Sequence, residues 1–171
     1  IADEIAYNNH DLDDGLRTNI LNEASLNKHI NLWKYGKKHV KTLYQNLNNE
    51  ELIPLINSHI ISTQVLNVYN HSQNKIKQAR ISSLEELQSL KTPLIEFSDD
   101  MKKDNNQLRT FLNTNVYRHP KIEKQNKQGQ SIILEIFEKL SKNPQLLPST
   151  SKESLEVQIG DFIAGMTDQY A

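Results

Sequence analysis

Apolar residues recur three and four positions apart almost throughout this chain, and that period commits it to helices. Strictly alternating stretches bounded by turn residues, which would mark half-buried strands, are rare. Only five glycines and five prolines punctuate the 171 residues, so no Gly/Pro-rich linker divides them and the chain reads as one helical unit over 1–171. No repeat at the period of a helical solenoid is present. The expected fold class is all-α, several helices with short connections.

The predicted helices run as follows. The first covers 2–19. Leu26, Ile30, Trp33, Val40, Leu43, Tyr44 and Leu47 line one side of the second, with Asn48 and Asn49 near its end. The third spans 52–79 through Ile56, Ile60, Val65, Val68 and Tyr69, with Pro54 in its first turn, where its missing N–H costs little. Ser83 and Glu86 have capping-box spacing for a short helix to about Leu90, and Ser98 is the expected N-cap of a helix carrying Met101, Leu108, Phe111 and Leu112. Pro120 interrupts the pattern; 121–142 resumes it with Ile132, Ile133, Ile136, Phe137 and Leu140 as the expected buried stripe. Asn143 to Ser151 reads as a loop, and a last helix covers about 153–170.

Composition narrows the partners. Twenty Lys and Arg against 21 Asp and Glu give a formal charge of -1, without the overall basic character that nucleic-acid binding usually needs. The local run Lys34, Lys37, Lys38, Lys41 is a solvated helix face or, failing that, a place for phosphates or single-stranded nucleic acid. No apolar stretch reaches the roughly 20 residues of a membrane span, and no secretory leader opens the sequence. On that ground the expected location is cytoplasmic, and a chain without cysteine permits a reducing compartment without requiring one. It begins at Ile1, two residues before Asp3 and inside a predicted helix, as a piece of something longer would.

The first helix carries the strongest chemical signal. At 100° per residue, Asp3, Tyr7, Asp11 and Asp14 fall within about 80° of one another, and no Lys or Arg precedes Arg17 to neutralise them. Two carboxylates about 6 Å apart repel by roughly 3 kcal/mol at an effective dielectric near 20. Such a face is either a solvated acidic first turn and a half, mildly favoured by the helix dipole, or a surface that meets a cation or a hydrogen-bonding ligand. Asp3 and Asp11 lie about 12 Å apart along the axis, too far to share one ion, so together they could only mark two ends of an elongated ligand such as a nucleotide.

The segment Ala2-Asp3-Glu4-Ile5-Ala6-Tyr7-Asn8-Asn9-His10-Asp11-Leu12-Asp13-Asp14-Gly15-Leu16-Arg17 resembles the later metal-ligand helix of the deoxyguanosine triphosphate triphosphohydrolase (dGTPase)-like family, a branch of the HD-domain phosphohydrolases. Two further blocks agree in order: Tyr117-Arg118-His119-Pro120 with Gly129-Gln130, Phe137 and Leu147-Pro148, and Asp161-Phe162-Ile163-Ala164-Gly165-Met166-Thr167-Asp168 with Tyr170-Ala171. The resemblance implies the C-terminal part of an all-α HD-type domain. It also implies hydrolysis of a deoxynucleoside triphosphate to deoxynucleoside and triphosphate, assisted by a divalent ion, Mg or Mn, held by two His and two Asp. On this resemblance Asp3 matches the last metal-binding Asp, while Tyr7 and Asp11 match positions that pack on the deoxyribose and bind its 3′-hydroxyl.

The family's earlier His and adjacent His-Asp pair would precede Asp3. His10-Asp11 is such a pair, but on the wrong helix and downstream of Asp3. The ligands this chain lacks are therefore expected from a missing N-terminal portion, with the chain alone inactive and the whole protein a homo-oligomer. Gln169 stands where many members carry Arg.

Arg118 and His119, at the break before Pro120, either meet a phosphate or fix the turn by hydrogen bonds. Asp161, Gly165 and Asp168 share a face of the last predicted helix, where Asp168 would cap or pair. His29, His39, His59 and His71 show no mutual ligand spacing and are expected as surface or satisfied core residues. Two other functions stay open: a non-catalytic helical module for oligomerisation or regulation, and an HD phosphohydrolase acting on another nucleotide.

Overall fold

The computed structural model describes residues 1–148, 152–167 and 170. All regular structure among them is helical, as expected. Eight α-helices follow one another: α1 (Ala2–Arg17), α2 (Glu23–His29), α3 (Asn31–Leu43), α4 (Asn49–Ala79), α5 (Leu84–Ser89), α6 (Asp99–Leu112), α7 (Pro120–Lys142) and α8 (Leu155–Ala164). A π turn, Asn113–Tyr117, extends α6, and a 3-10 turn, Pro144–Leu146, follows α7. The helices group into two compact units, 1–119 and 120–171.

In the first unit α4 is the central element, packed on both α1 and α3, while α6 packs on α1 and α3 as well. Ile5, Leu12 and Leu16 of α1, Trp33 of α3, Ile56 and Ile60 of α4, and Leu108 and Leu112 of α6 belong to one buried core. Buried apolar surface contributes roughly 25 cal/mol per Å², and Trp33, fully enclosed, is the largest single side chain in that core.

Three boundaries differ from the sequence reading, each for a local reason. The second predicted helix breaks at Ile30, which is extended (φ -116°, ψ 112°). Its halves start independently: the Asn22 side chain accepts the Ser25 N–H at 2.8 Å, and the Gln107 side chain of α6 accepts the Asn31 N–H at 2.9 Å. Asn48 opens α4 instead of closing the helix before it. Its side chain accepts the Glu51 N–H at 3.0 Å while the Glu51 carboxylate accepts the Asn48 N–H at 3.1 Å, a complete capping box. The last helix stops at Ala164, with Gly165 at its C-cap. Ser83 and Ser98 do cap α5 and α6 as their spacing predicts.

Parts of the expected core stand outside it. Leu43, Tyr44, Val65 and Tyr69 are exposed: Leu43 is the last residue of α3 and Tyr44 the extended residue after it, and α4 carries a second apolar side that α1, α3 and α6 do not cover. In the second unit α7 packs with α8. Leu140 is buried there, but Ile132 and Ile133 of the expected stripe are exposed. No described helix is long and apolar enough to cross a membrane.

Candidate functional site

The site is built on α1, and its orientation is set from the opposite side of that helix. Asn9 lies about 160° around the axis from both Tyr7 and Asp11. Its side-chain amide donates to the Ile5 carbonyl and to Gln64 Oε1 of α4, both at 2.7 Å. Gln64 Nε2 donates in turn to Asn105 Oδ1 of α6 at 2.6 Å. All three side chains are buried. A second bond, Asn57 Nδ2 to the Asn9 carbonyl at 3.1 Å, ties α4 to the backbone of α1. This polar ladder through an apolar core points the Tyr7–Asp11 side outward, because rolling α1 would strand buried amides.

Gly15 controls the next approach. A Cβ there would stand 2.7 Å from Leu21 Cδ1 and 3.4 Å from Val116 Cγ2. Its absence lets the chain after α1 fold back, with the Leu21 N–H on the Gly15 carbonyl at 2.8 Å, and lets Val116 and its neighbour Tyr117 come against α1.

Tyr117 ends the π turn. There Thr114 Oγ1 donates to the Thr110 carbonyl at 3.0 Å and Asn115 Nδ2 to the Phe111 carbonyl at 2.8 Å, side chains competing with the backbone for helix carbonyls. Pro120 has no N–H to extend the helix and disfavours helical backbone at His119. Wide turns of this kind recur at functional sites. Here the turn delivers the Tyr117 hydroxyl to Asp11 Oδ2, to which it donates a hydrogen bond. The Tyr7 and Tyr117 rings lie 6.1 Å apart at 32°. Burial, then the Asp11 carboxylate and the Tyr7 hydroxyl, push the Tyr117 phenol far above its ordinary range, so it stays a donor.

Of the residues singled out from sequence, Tyr7 and Asp11 come together, one ring exposed and one carboxylate half-buried. Asp3 is on the same helix, exposed in its first turn. Asp14 is exposed too, and the nearby Arg17 pairs with Asp13 at 2.6 Å. Among the described residues no three His, Cys, Asp or Glu side chains gather where an ion could be held. Arg118 is exposed and His119 half-buried; their backbone N–H groups close the turn, on Asn113 at 3.3 Å and Val116 at 2.9 Å. Asp168 and Gln169 lie outside the described residues. Tyr117 is the participant that sequence reasoning missed, although it opens the Tyr-Arg-His-Pro block. Also unforeseen, the His39 and His59 rings of α3 and α4 stack 4.0 Å apart, and burial followed by the His39 charge holds His59 below the usual imidazole range.

With this geometry in hand, comparison with known proteins decides the family. A 175-residue alignment with the deoxyguanosinetriphosphate triphosphohydrolase-like protein of Geobacter sulfurreducens is 32% identical and covers 99% of this chain and 45% of that one. The counterpart from Nitrosomonas europaea is 34% identical over all of this chain and 46% of its own length. The chain belongs to the dGTPase-like family. A Brucella ovis relative of the same name is 32% identical over the whole chain and 44% of its own length. Residues 95–171 match the family model described as a phosphohydrolase-associated domain, which agrees with the relatives' names in supporting a phosphohydrolase family. The chain spans less than half the length of these dGTPase-like relatives.

Proposed function

We propose that the chain, with residues 1–171 working as one helical unit, is the C-terminal part of a dNTP triphosphohydrolase that releases deoxynucleoside and inorganic triphosphate. The observation that carries this reading is the cluster that Tyr117 makes with Tyr7 and Asp11, two residues of the helix that also bears Asp3. Asp11 has two oxygens. Oδ2 receives the Tyr117 hydrogen bond, which leaves Oδ1 to accept a sugar 3′-hydroxyl, and the exposed Tyr7 ring offers an apolar face to the deoxyribose.

Asp3 is proposed as one ligand of a divalent ion, Mg or Mn. By themselves the described residues do not fit such an ion, since one exposed carboxylate fixes no coordination geometry. The remaining ligands are assigned to polypeptide outside this chain. When bound, the ion would neutralise charge at the phosphate under attack. The whole protein is read as a cytoplasmic homo-oligomer, with Arg118 and His119 as candidates for phosphate contact and the Lys34–Lys41 face as solvated surface.

The test is triphosphate release from dNTPs by the full-length protein with Mg or Mn. Release is expected; Asp3→Ala abolishes it, and this chain alone shows none. Turnover retained by Asp3→Ala overturns the ligand assignment, and chromatography of the products separates triphosphohydrolysis from chemistry on another nucleotide. A non-catalytic oligomerisation module has one observation in its favour, the exposed apolar side of α4. Folded, self-associating full-length protein that hydrolyses no nucleotide would establish it instead.

A further inference from the structure

The long helix α4 is apolar on two sides. Leu52, Ile56 and Ile60 fill the core, whereas Ile61, Val65, Val68, Tyr69 and Ile76, at positions i, i+4, i+7, i+8 and i+15, make a second stripe. That stripe and α1 wall a groove of about 700 Å³, to which Ile1, Ala2 and Ala6 add further apolar surface and at whose edge His10 stands. From Ile61 to Ile76 it runs about 22 Å along α4, the length of a four-turn helix. Val65 is 50% exposed and Tyr69 57%. At Ile76 and Ile95 the groove continues into a second apolar hollow lined by Leu87 and Leu90 beside α5, so the uncovered surface is contiguous. Contiguous apolar surface of this kind marks an interaction site.

We infer that this groove seats an amphipathic helix from the part of the longer polypeptide that this chain does not contain. The inference rests on the functional reading above and names the surface by which the two parts join. Two facts favour this occupant. The dGTPase-like relatives are more than twice as long as the segment they share with the chain, so more than half of each must pack somewhere. The groove also borders Asp3: Ala6 and His10, which line it, lie about 60° and 20° around α1 from Asp3. A helix seated there runs alongside the one carboxylate that needs further ligands. A second copy related by a two-fold axis through the groove would instead bring a second acidic α1 face, adding negative charge without a counter-charge.

Cysteine labelling tests this cleanly, because the chain has no cysteine of its own. Val65→Cys and, separately, Ile76→Cys are made in this chain and in the full-length protein. Maleimide labelling at each position is followed by peptide mass and normalised to the same protein unfolded in guanidinium. Both positions are expected to label rapidly in the chain alone and at least tenfold more slowly in the full-length protein. Equal rates in the two overturn the inference. So does protection already present in the chain alone together with a dimeric mass, which assigns the groove to a second copy. Triphosphate release is measured on the unsubstituted full-length protein. Loss of the functional reading therefore shows as absent hydrolysis with protection intact, and loss of the groove assignment as hydrolysis with the cysteines open.

Discussion

Tyr117 donates its phenolic hydrogen to Asp11 across 106 positions of sequence, and this bond is what closes the Tyr7–Asp11–Tyr117 cluster. Because the phenol is held well above its ordinary range by burial and by the carboxylate it faces, the donation persists through the whole neutral and mildly alkaline range. Tyr117→Phe keeps the ring and removes the donor. A hydrogen bond to a charged group contributes about 1.5–3 kcal/mol, so kcat/KM of the full-length protein for a dNTP is expected to fall by about ten- to a hundredfold. Thermal stability should fall as well, because the same bond ties the turn after α6 to α1 within the fold. Steady-state triphosphate release checks the first and a melting curve the second.

Gly15 and Gly129 make a contrasting pair. A methyl at Gly15 meets Leu21 at 2.7–2.8 Å, so Gly15→Ala overpacks the seam behind Tyr117 and is expected to cost about 1–3 kcal/mol. Gly129 lies within α7 with nothing near its missing Cβ, and Gly129→Ala is expected to stabilise by about 0.5–1 kcal/mol through helix propensity. Urea denaturation of the two variants reads both signs.

The amide ladder gives a third expectation. Gln64→Leu removes the acceptor of Asn9 and the donor to Asn105 in one step, leaving buried groups unpaired, at a cost of about 1–3 kcal/mol. Asn105→Leu in the Gln64→Leu background should then cost less than it does in the wild type, because its partner is already gone. A double-mutant cycle in denaturant measures the difference.

Acid should weaken the fold in two separate windows. His59 is held below 6.5 by burial and by His39, so the unfolded chain binds its proton more readily; stability is full above about 6.5 and falls as the pH drops below it. His39→Gln should shrink that loss. Glu96 is lowered to about 2 by Lys102 and Lys75, whose ammonium groups hydrogen-bond its two oxygens. Its contribution is complete above the ordinary 4.5 and is lost as the pH falls from there toward 2. Denaturation midpoints from pH 8 to pH 3, with Glu96→Gln for comparison, separate the windows.

Helical class, the caps at Ser83 and Ser98 and the shared helix face of Tyr7 and Asp11 were legible in sequence, because each rests on spacing along one helix. Ile30 was not, since its break depends on Gln107 arriving from α6 to accept the Asn31 N–H. Asn48 is ambiguous by nature: the residue that ends one helix also opens another, and only the reciprocal bond with Glu51 tells which. Tyr117 reaches Asp11 through a π turn, whose extra residue no fixed 100° step anticipates. Val65 and Tyr69 fit the period of a buried stripe and are exposed, because periodicity reveals that a face is apolar and not what lies against it.

The bonds from Asn9 through Gln64 to Asn105 make α1 a keyed shaft, held against turning about its own axis. The outward aim of Tyr7 and Asp11 is therefore set by three uncharged side chains, one on the opposite side of α1 and two on the helices behind it.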